Sequence, residues 1–162
     1  MKRIIKISIV IVSIIVVILN KTIEISDSSL SEKQIIKGCF YANSLYFEEV
    51  ALFLMNLQYN ASCYYENSKL IIKEIDNEYN IRIVNIEDEQ IVQSIKYLLK
   101  NLDYKEISKY GDEVYFNYYT TGPFPYETGI VYSEKDIINY NSTFSLEDKL
   151  KDCWYCFFFG YT

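Results

Sequence analysis

Residues 104–119 read YKEISKYGDEVYFNYY, and this stretch decides the fold. Gly111-Asp112 divides it into two runs, Tyr104–Tyr110 and Glu113–Tyr119. Val114, Phe116 and Tyr118 recur at every second position of the latter, which places them on one face of a strand. A turn-forming pair between two such runs predicts an antiparallel hairpin with one buried face.

Upstream, the hairpin is preceded by an amphipathic helix. Ile91, Ile95, Leu98, Leu99 and Leu102 fall at i, i+4, i+7, i+8 and i+11, one stripe of a helix. Asn85 is its expected cap, Glu87, Asp88 and Glu89 fill its first turn, and Lys96 and Lys100 lie toward its end, in the order the macrodipole favours. Before it come three strand-like pieces, Cys63–Glu66, Lys69–Ile75 and Tyr79–Val84, separated by Asn67-Ser68 and Asp76-Asn77-Glu78. In the third, Ile81 and Ile83 alternate with Asn80 and Arg82, which predicts a strand with one buried face. Further back, Ile36, Cys39, Phe40, Phe47, Val50, Ala51 and Leu54 repeat at helical spacing behind a capping-box pattern, Ser31 to Gln34. One helix over about 32–58 accounts for them; a break at Asn43-Ser44 is the alternative.

Downstream, Thr120–Thr128 holds Gly122, Pro123 and Pro125 and reads as a loop. Gly129–Ser133 reads as a short strand, Ser145-Leu146-Glu147-Asp148 as the start of a short helix, and Cys153–Phe159 as a final aromatic strand. The whole is an α+β pattern, helices against one face of a mostly antiparallel sheet.

The helix ending IKYLLKNL, the hairpin EISKYGDEVYF, the strand GIVYS at 129–133 and DCWY at 152–155 resemble a group of small exported or membrane-anchored proteins of clostridia-like Gram-positive bacteria. The likeness covers roughly residues 47 to 156. It implies a lineage and a location, and it carries no active site.

The N-terminus agrees with such a location. Lys2, Arg3 and Lys6 precede an uncharged run from Ile7 to Leu19 built almost wholly of Ile and Val. With Lys6 snorkelling, residues 4–20 are the expected membrane contact. Basic residues ahead of the run keep that end cytoplasmic and send the rest outward. The expectation is a signal-anchor or transmembrane helix over 1–21, a short tether over 22–30, and one extracytoplasmic α+β domain over 31–162; secretion after cleavage of a signal peptide is the alternative. From Thr22 onward 12 Lys/Arg face 22 Asp/Glu, a net charge of −10. Such a surface repels nucleic acid, which needs a basic footprint.

The chain has no histidine. Ser-His, Cys-His and His-metal arrangements are therefore excluded. Cys153-Trp154-Tyr155-Cys156 is a C-x-x-C, but a redox pair sits where a strand enters a helix, and the six residues after it read as strand. No metal site and no cofactor are expected. A disulfide is allowed outside the cytoplasm, with Cys39–Cys63 as one candidate; four cysteines permit three full pairings and the sequence does not choose.

The site-like features are aromatic. Phe124 and Tyr126 sit between or beside prolines in the loop, and Tyr115, Tyr119 and Tyr155 can share a sheet face able to stack a sugar or a peptide. Ordinary cross-strand pairing is the competing role of those tyrosines. Paired carboxylates (Glu48 with Glu49, or Glu87-Asp88-Glu89) are the material for acid–base work without histidine. The sequence thus points to a non-catalytic interaction module with an envelope or extracellular partner. A histidine-free cell-envelope hydrolase using paired carboxylates is the alternative.

Overall fold

A computed structural model describes residues 33–119, 126–135 and 144–160; for Tyr119, Tyr126, residues 144–147 and residues 159–160 it describes the backbone alone. The leader and the tether, like Ser31 and Phe124, lie outside these residues. Among the described residues no helix is long and apolar enough to cross a membrane.

The domain is α+β: two helices pack on an antiparallel eight-stranded sheet. Helix α1 spans 33–55 without interruption. The break at Asn43-Ser44 does not occur, since Asn43 Nδ2 donates back to the Cys39 carbonyl at 2.9 Å, one turn earlier. The strands are β1 (Asn60–Glu66), β2 (Lys69–Ile75), β3 (Ile81–Ile83), β4 (Glu106–Tyr110), β5 (Glu113–Tyr119), β6 (Tyr126–Ser133), β7 (Phe144–Lys151) and β8 (Trp154–Gly160). They lie in the order β3-β2-β1-β4-β5-β6-β8-β7. Helix α2 (Glu89–Lys96) continues into a π-helical turn, Tyr97–Asn101.

The hairpin at 104–119 forms as expected, β4 against β5, with Gly111 at φ 58° in the turn. A positive φ at the first of two loop residues is the geometry glycine permits cheaply. The β1–β2 turn is sharper in its demand, because Asn67 and Ser68 both have positive φ, at 49° and 63°. That is the conformation of a type I′ hairpin loop.

Phe47 sits at the centre of the core. Its ring meets Tyr104 at 5.4 Å, Phe116 at 5.0 Å and Phe40 at 5.5 Å, while Trp154 packs on Phe40 at 5.0 Å and on Phe116 at 5.8 Å. Helix α1 is thereby seated on β5 and β8. Polar contacts fix its direction. Tyr41 donates to the Leu150 carbonyl at 2.7 Å, Lys37 pairs with Asp148 at 2.5 Å, and Glu48 pairs with Lys151 at 2.7 Å, all on β7. At the other end the Lys109 ammonium, buried on β4, donates to the Leu57 carbonyl and reaches the Met55 carbonyl at 3.4 Å. A cation at the last carbonyls of a helix satisfies acceptors that have no partner within it.

Five local expectations differ. Helix α2 starts at Glu89, capped by Asp88, whose side chain accepts from the Gln90 and Ile91 amides; Asn85 and Glu87 precede the helix. Val84 and Ile86 are packed against the core there, which holds that stretch extended. The segment Ser145–Asp148 is strand, part of β7, and not helix. Two register irregularities, between Leu146 and Asp148 and between Lys149 and Lys151, break the alternation that would have announced it. Strand β6 begins at Tyr126, so the loop is shorter than the prolines suggested, and Cys153 lies in the β7–β8 turn with φ 65° instead of in the last strand. Lastly, Ile81 and Ile83 are exposed, at 63% and 60%. All three residues of this edge strand are exposed, and Arg82, on the alternate face, stays largely in solvent while pairing with the buried Glu74 directly across the ladder.

Candidate functional site

The helices occupy one face of the sheet, and among the described residues no helix packs on the other. One rung of cross-strand neighbours traverses that second face: Lys73, Ser62, Ser108, Tyr115, Val131, Tyr155 and Lys149. Tyr115 and Tyr155 flank Val131 from either side, so two of the sequence-selected tyrosines are brought together. Val131 is fully buried between its neighbours. Each end of the rung carries a lysine against a ring: Lys73 Nζ lies 4.9 Å from the Tyr64 centroid and Lys149 Nζ 5.7 Å from that of Tyr155.

The adjacent rung runs Ile71, Tyr64, Glu106, Asn117, Gly129 and Phe157. Gly129 leaves room for the Phe157 ring opposite it, and that ring meets Tyr115 edge-on at 5.5 Å. Tyr110 extends the aromatic line, 6.0 Å from Tyr115. The Tyr115 hydroxyl donates to Glu113 at 2.6 Å, which holds its ring in place.

Between the rings lies polar ground. Asn117 and Ser108 are both buried, with Asn117 Nδ2 3.4 Å from Ser108 Oγ. Glu106 is half-buried beside them, and its carboxyl is raised above the usual range, chiefly by burial; Lys73 works against the shift and Glu127 adds to it. Aromatic faces around a small hydrogen-bonding floor can stack a flat ligand ring and fix its orientation.

Of the other selected residues, Tyr119 stands opposite Glu127, and Tyr126 opposite Gly160, at the far end of the β5–β6 and β6–β8 ladders. Phe124 falls in the loop outside the described residues. Glu106, Ser108 and Asn117 were not picked out by the sequence reading. The available signal was their period-two spacing opposite Ile107, Phe116 and Tyr118, but that spacing marks any outward sheet face.

The sequence-selected carboxylates have structural partners. Glu48 pairs with Lys151, Glu49 accepts from Gln90 Nε2 and Ser94 Oγ at 2.6 Å each and so joins α1 to α2, and Asp88 caps α2. None of the four cysteines is in a disulfide, so Cys39 and Cys63 are not bridged. Cys63 is wholly buried on β1, and burial, with a smaller contribution from Glu106, pushes its thiol up to about 12. Among the described residues no three His, Cys, Asp or Glu side chains gather in a way that could hold a metal ion. Comparison with protein-family models, curated proteins and solved structures finds no match to this chain.

Proposed function

We propose that this chain is a membrane-anchored, extracytoplasmic binding module that engages an envelope or extracellular partner. Residues 4–20 hold it to the bilayer, and the second sheet face makes the contact. The observation that carries this reading is the Tyr115–Val131–Tyr155 rung. Two rings stand at the spacing of alternate strands over a floor of Ser108 and Asn117, with Glu106 at the margin. Tyr119 belongs to the same face by its register, and Phe124 and Tyr126 are further contact residues proposed from the sequence. The chemistry suits a flat polar ligand, a sugar ring or an extended peptide, that offers both a face to stack and groups to hydrogen-bond.

Two measurements test it with the full chain in its own membrane. Protease added outside intact cells should remove the C-terminal domain, and a fully protected domain would end the anchored reading. Tyr115→Ala with Tyr155→Ala should abolish saturable binding of envelope glycan or protein fragments while leaving the circular dichroism spectrum unchanged. Undiminished binding by a folded double variant would end the site assignment.

A second reading, the histidine-free hydrolase, draws on Glu106, a carboxyl raised in the manner of a general acid with a second carboxylate, Glu127, in its field. It requires that the chain release soluble sugar or peptide from cell-wall preparations and that Glu106→Gln stop the release. An inactive wild-type chain would dispose of it.

A further inference from the structure

On the helix side of the sheet, away from the tyrosine rung, α2 and the β1–β2 hairpin enclose a cleft of about 490 Å³. That volume lies within the range of small-molecule sites. Its floor is apolar: Leu70 and Ile72 from β2, Val84 and Ile86 from the stretch before α2, and Val92 from α2 itself. Around the floor stand Lys69, Lys96 and Lys100, and among the described residues no carboxylate lines the cleft.

In a domain carrying −8 over residues 31–162, three cations gathered at one cleft stand out. Lys37, Lys105, Lys135, Lys149 and Lys151 each pair with a carboxylate, and Lys109 gives its ammonium to carbonyls. Lys69, Lys96 and Lys100 have no carboxylate partner among the described residues; Lys100 rests over the Tyr65 ring at 4.4 Å. Val92, Lys96 and Lys100 follow at i, i+4 and i+8, so α2 and its π turn bring one apolar and two cationic side chains to the same wall. Lys69 comes from the opposite wall, directly after the type I′ turn.

Ammonium groups with no ion pair among the described residues, set beside buried and half-buried aliphatic side chains, are complementary to one ligand chemistry, a negative head joined to an apolar tail. We infer that this cleft binds a single-chain amphiphile whose head is a carboxylate or a phosphate. The three lysines take the head, and Leu70, Ile72 and Val92 take the tail. Neither a free polar anion nor an uncharged detergent satisfies both halves.

Site-resolved acetylation of lysines, read by mass spectrometry, tests this on the full chain in nanodiscs of zwitterionic lipid. Octanoate and octyl phosphate should protect Lys69, Lys96 and Lys100 and leave Lys105 and Lys135 reactive. Octyl glucoside should protect none of the three. Lengthening the acid from hexanoate to octanoate should tighten protection by about tenfold, as expected for two buried methylenes. In a Lys96→Gln/Lys100→Gln variant, whose substitutions replace one half-exposed and one exposed side chain, octanoate should no longer protect Lys69. Protection by soluble acids assigns the ligand to a dissolved source; protection seen only with anionic lysolipid in the disc assigns it to the bilayer. Equal protection by octyl glucoside, protection unchanged in the double variant, or no protection by any of these amphiphiles would overturn the inference. None of these outcomes bears on Tyr115 and Tyr155, so this site and the tyrosine face stand or fall separately.

Discussion

Gly129 on β6 lies so close to β5 that a Cβ placed on it would stand 2.0 Å from the carbonyl oxygen of Phe116. The obstacle is backbone, which cannot swing aside as a side-chain tip can. The same Cβ would meet the Phe157 ring at 3.0 Å. Gly129→Ala is therefore expected to cost about 2–3 kcal/mol through overpacking. Urea denaturation of the two proteins checks it; a loss below about 0.5 kcal/mol would mean that the strands part without penalty.

The β1–β2 turn carries a conformation glycine would take more easily. Ser68 has φ 63° and follows Asn67 at φ 49°, while Asn-Gly is the favoured pair for this loop. Ser68→Gly should raise stability by about 1 kcal/mol, which is a rise of several degrees in melting temperature for a domain of this size. Calorimetry reads the shift directly. A lower melting temperature would contradict the type I′ assignment.

Lys109 joins the C-terminus of α1 to the middle of the sheet. Lys109→Met keeps the aliphatic stem and removes the donors that satisfy the Leu57 and Met55 carbonyls. A loss of about 1–3 kcal/mol is expected, against little or none for Lys105→Met, which breaks an exposed ion pair with Asp103. Hydrogen exchange should show faster opening in the last turn of α1 before any other change. Equal effects of the two substitutions would remove the cap from the account.

Alkali should unfold the domain through its buried thiol. In the unfolded chain Cys63 loses its proton near the ordinary 9.0, whereas in the fold it keeps it up to about 12. The unfolded state then binds fewer protons than the native state between those values, so stability falls as pH rises through that window; below 9 the contribution is complete. Tyr104, also raised by burial, adds to the slope above 10. Denaturation midpoints from pH 8 to pH 11 should decline, and Cys63→Val should flatten the decline. In the native state at neutral pH a maleimide should label half-exposed Cys153 well before Cys63 or Cys156. Early modification of Cys63 would show that β1 is not closed over it.

The elements best legible in the sequence are those whose burial follows one simple period. Phe40, Phe47, Val50, Ala51 and Leu54 announce α1 because they are the residues that meet the sheet. Strand β7 was hidden by chemistry of another kind. Ser145-Leu146-Glu147-Asp148 has the form of a helix start, and only pairing with β8, interrupted by two irregularities, makes it strand. Ile81 and Ile83 show the limit of alternation, which says that two faces differ without saying that either is covered: all of β3 is exposed. The same limit applies to the site. Tyr115 and Tyr155 could be picked out as large rings, but their meeting across Val131 depends on β6 lying between β5 and β8, a pairing order no local pattern states. Lys96 and Lys100 were legible as favourable charges at a helix end; that Lys69 faces them across an apolar floor depends on the hairpin folding back.

The two margins of the sheet end differently. On one side β3 offers three residues, too few to template a long new ladder; on the other β7 is irregular at two points and carries Lys149 and Lys151. Brevity at one border and irregularity with charge at the other both discourage a ninth strand from a neighbouring molecule. At high concentration, many copies could therefore stand side by side without fusing into a filament, even though β3 bears two exposed isoleucines.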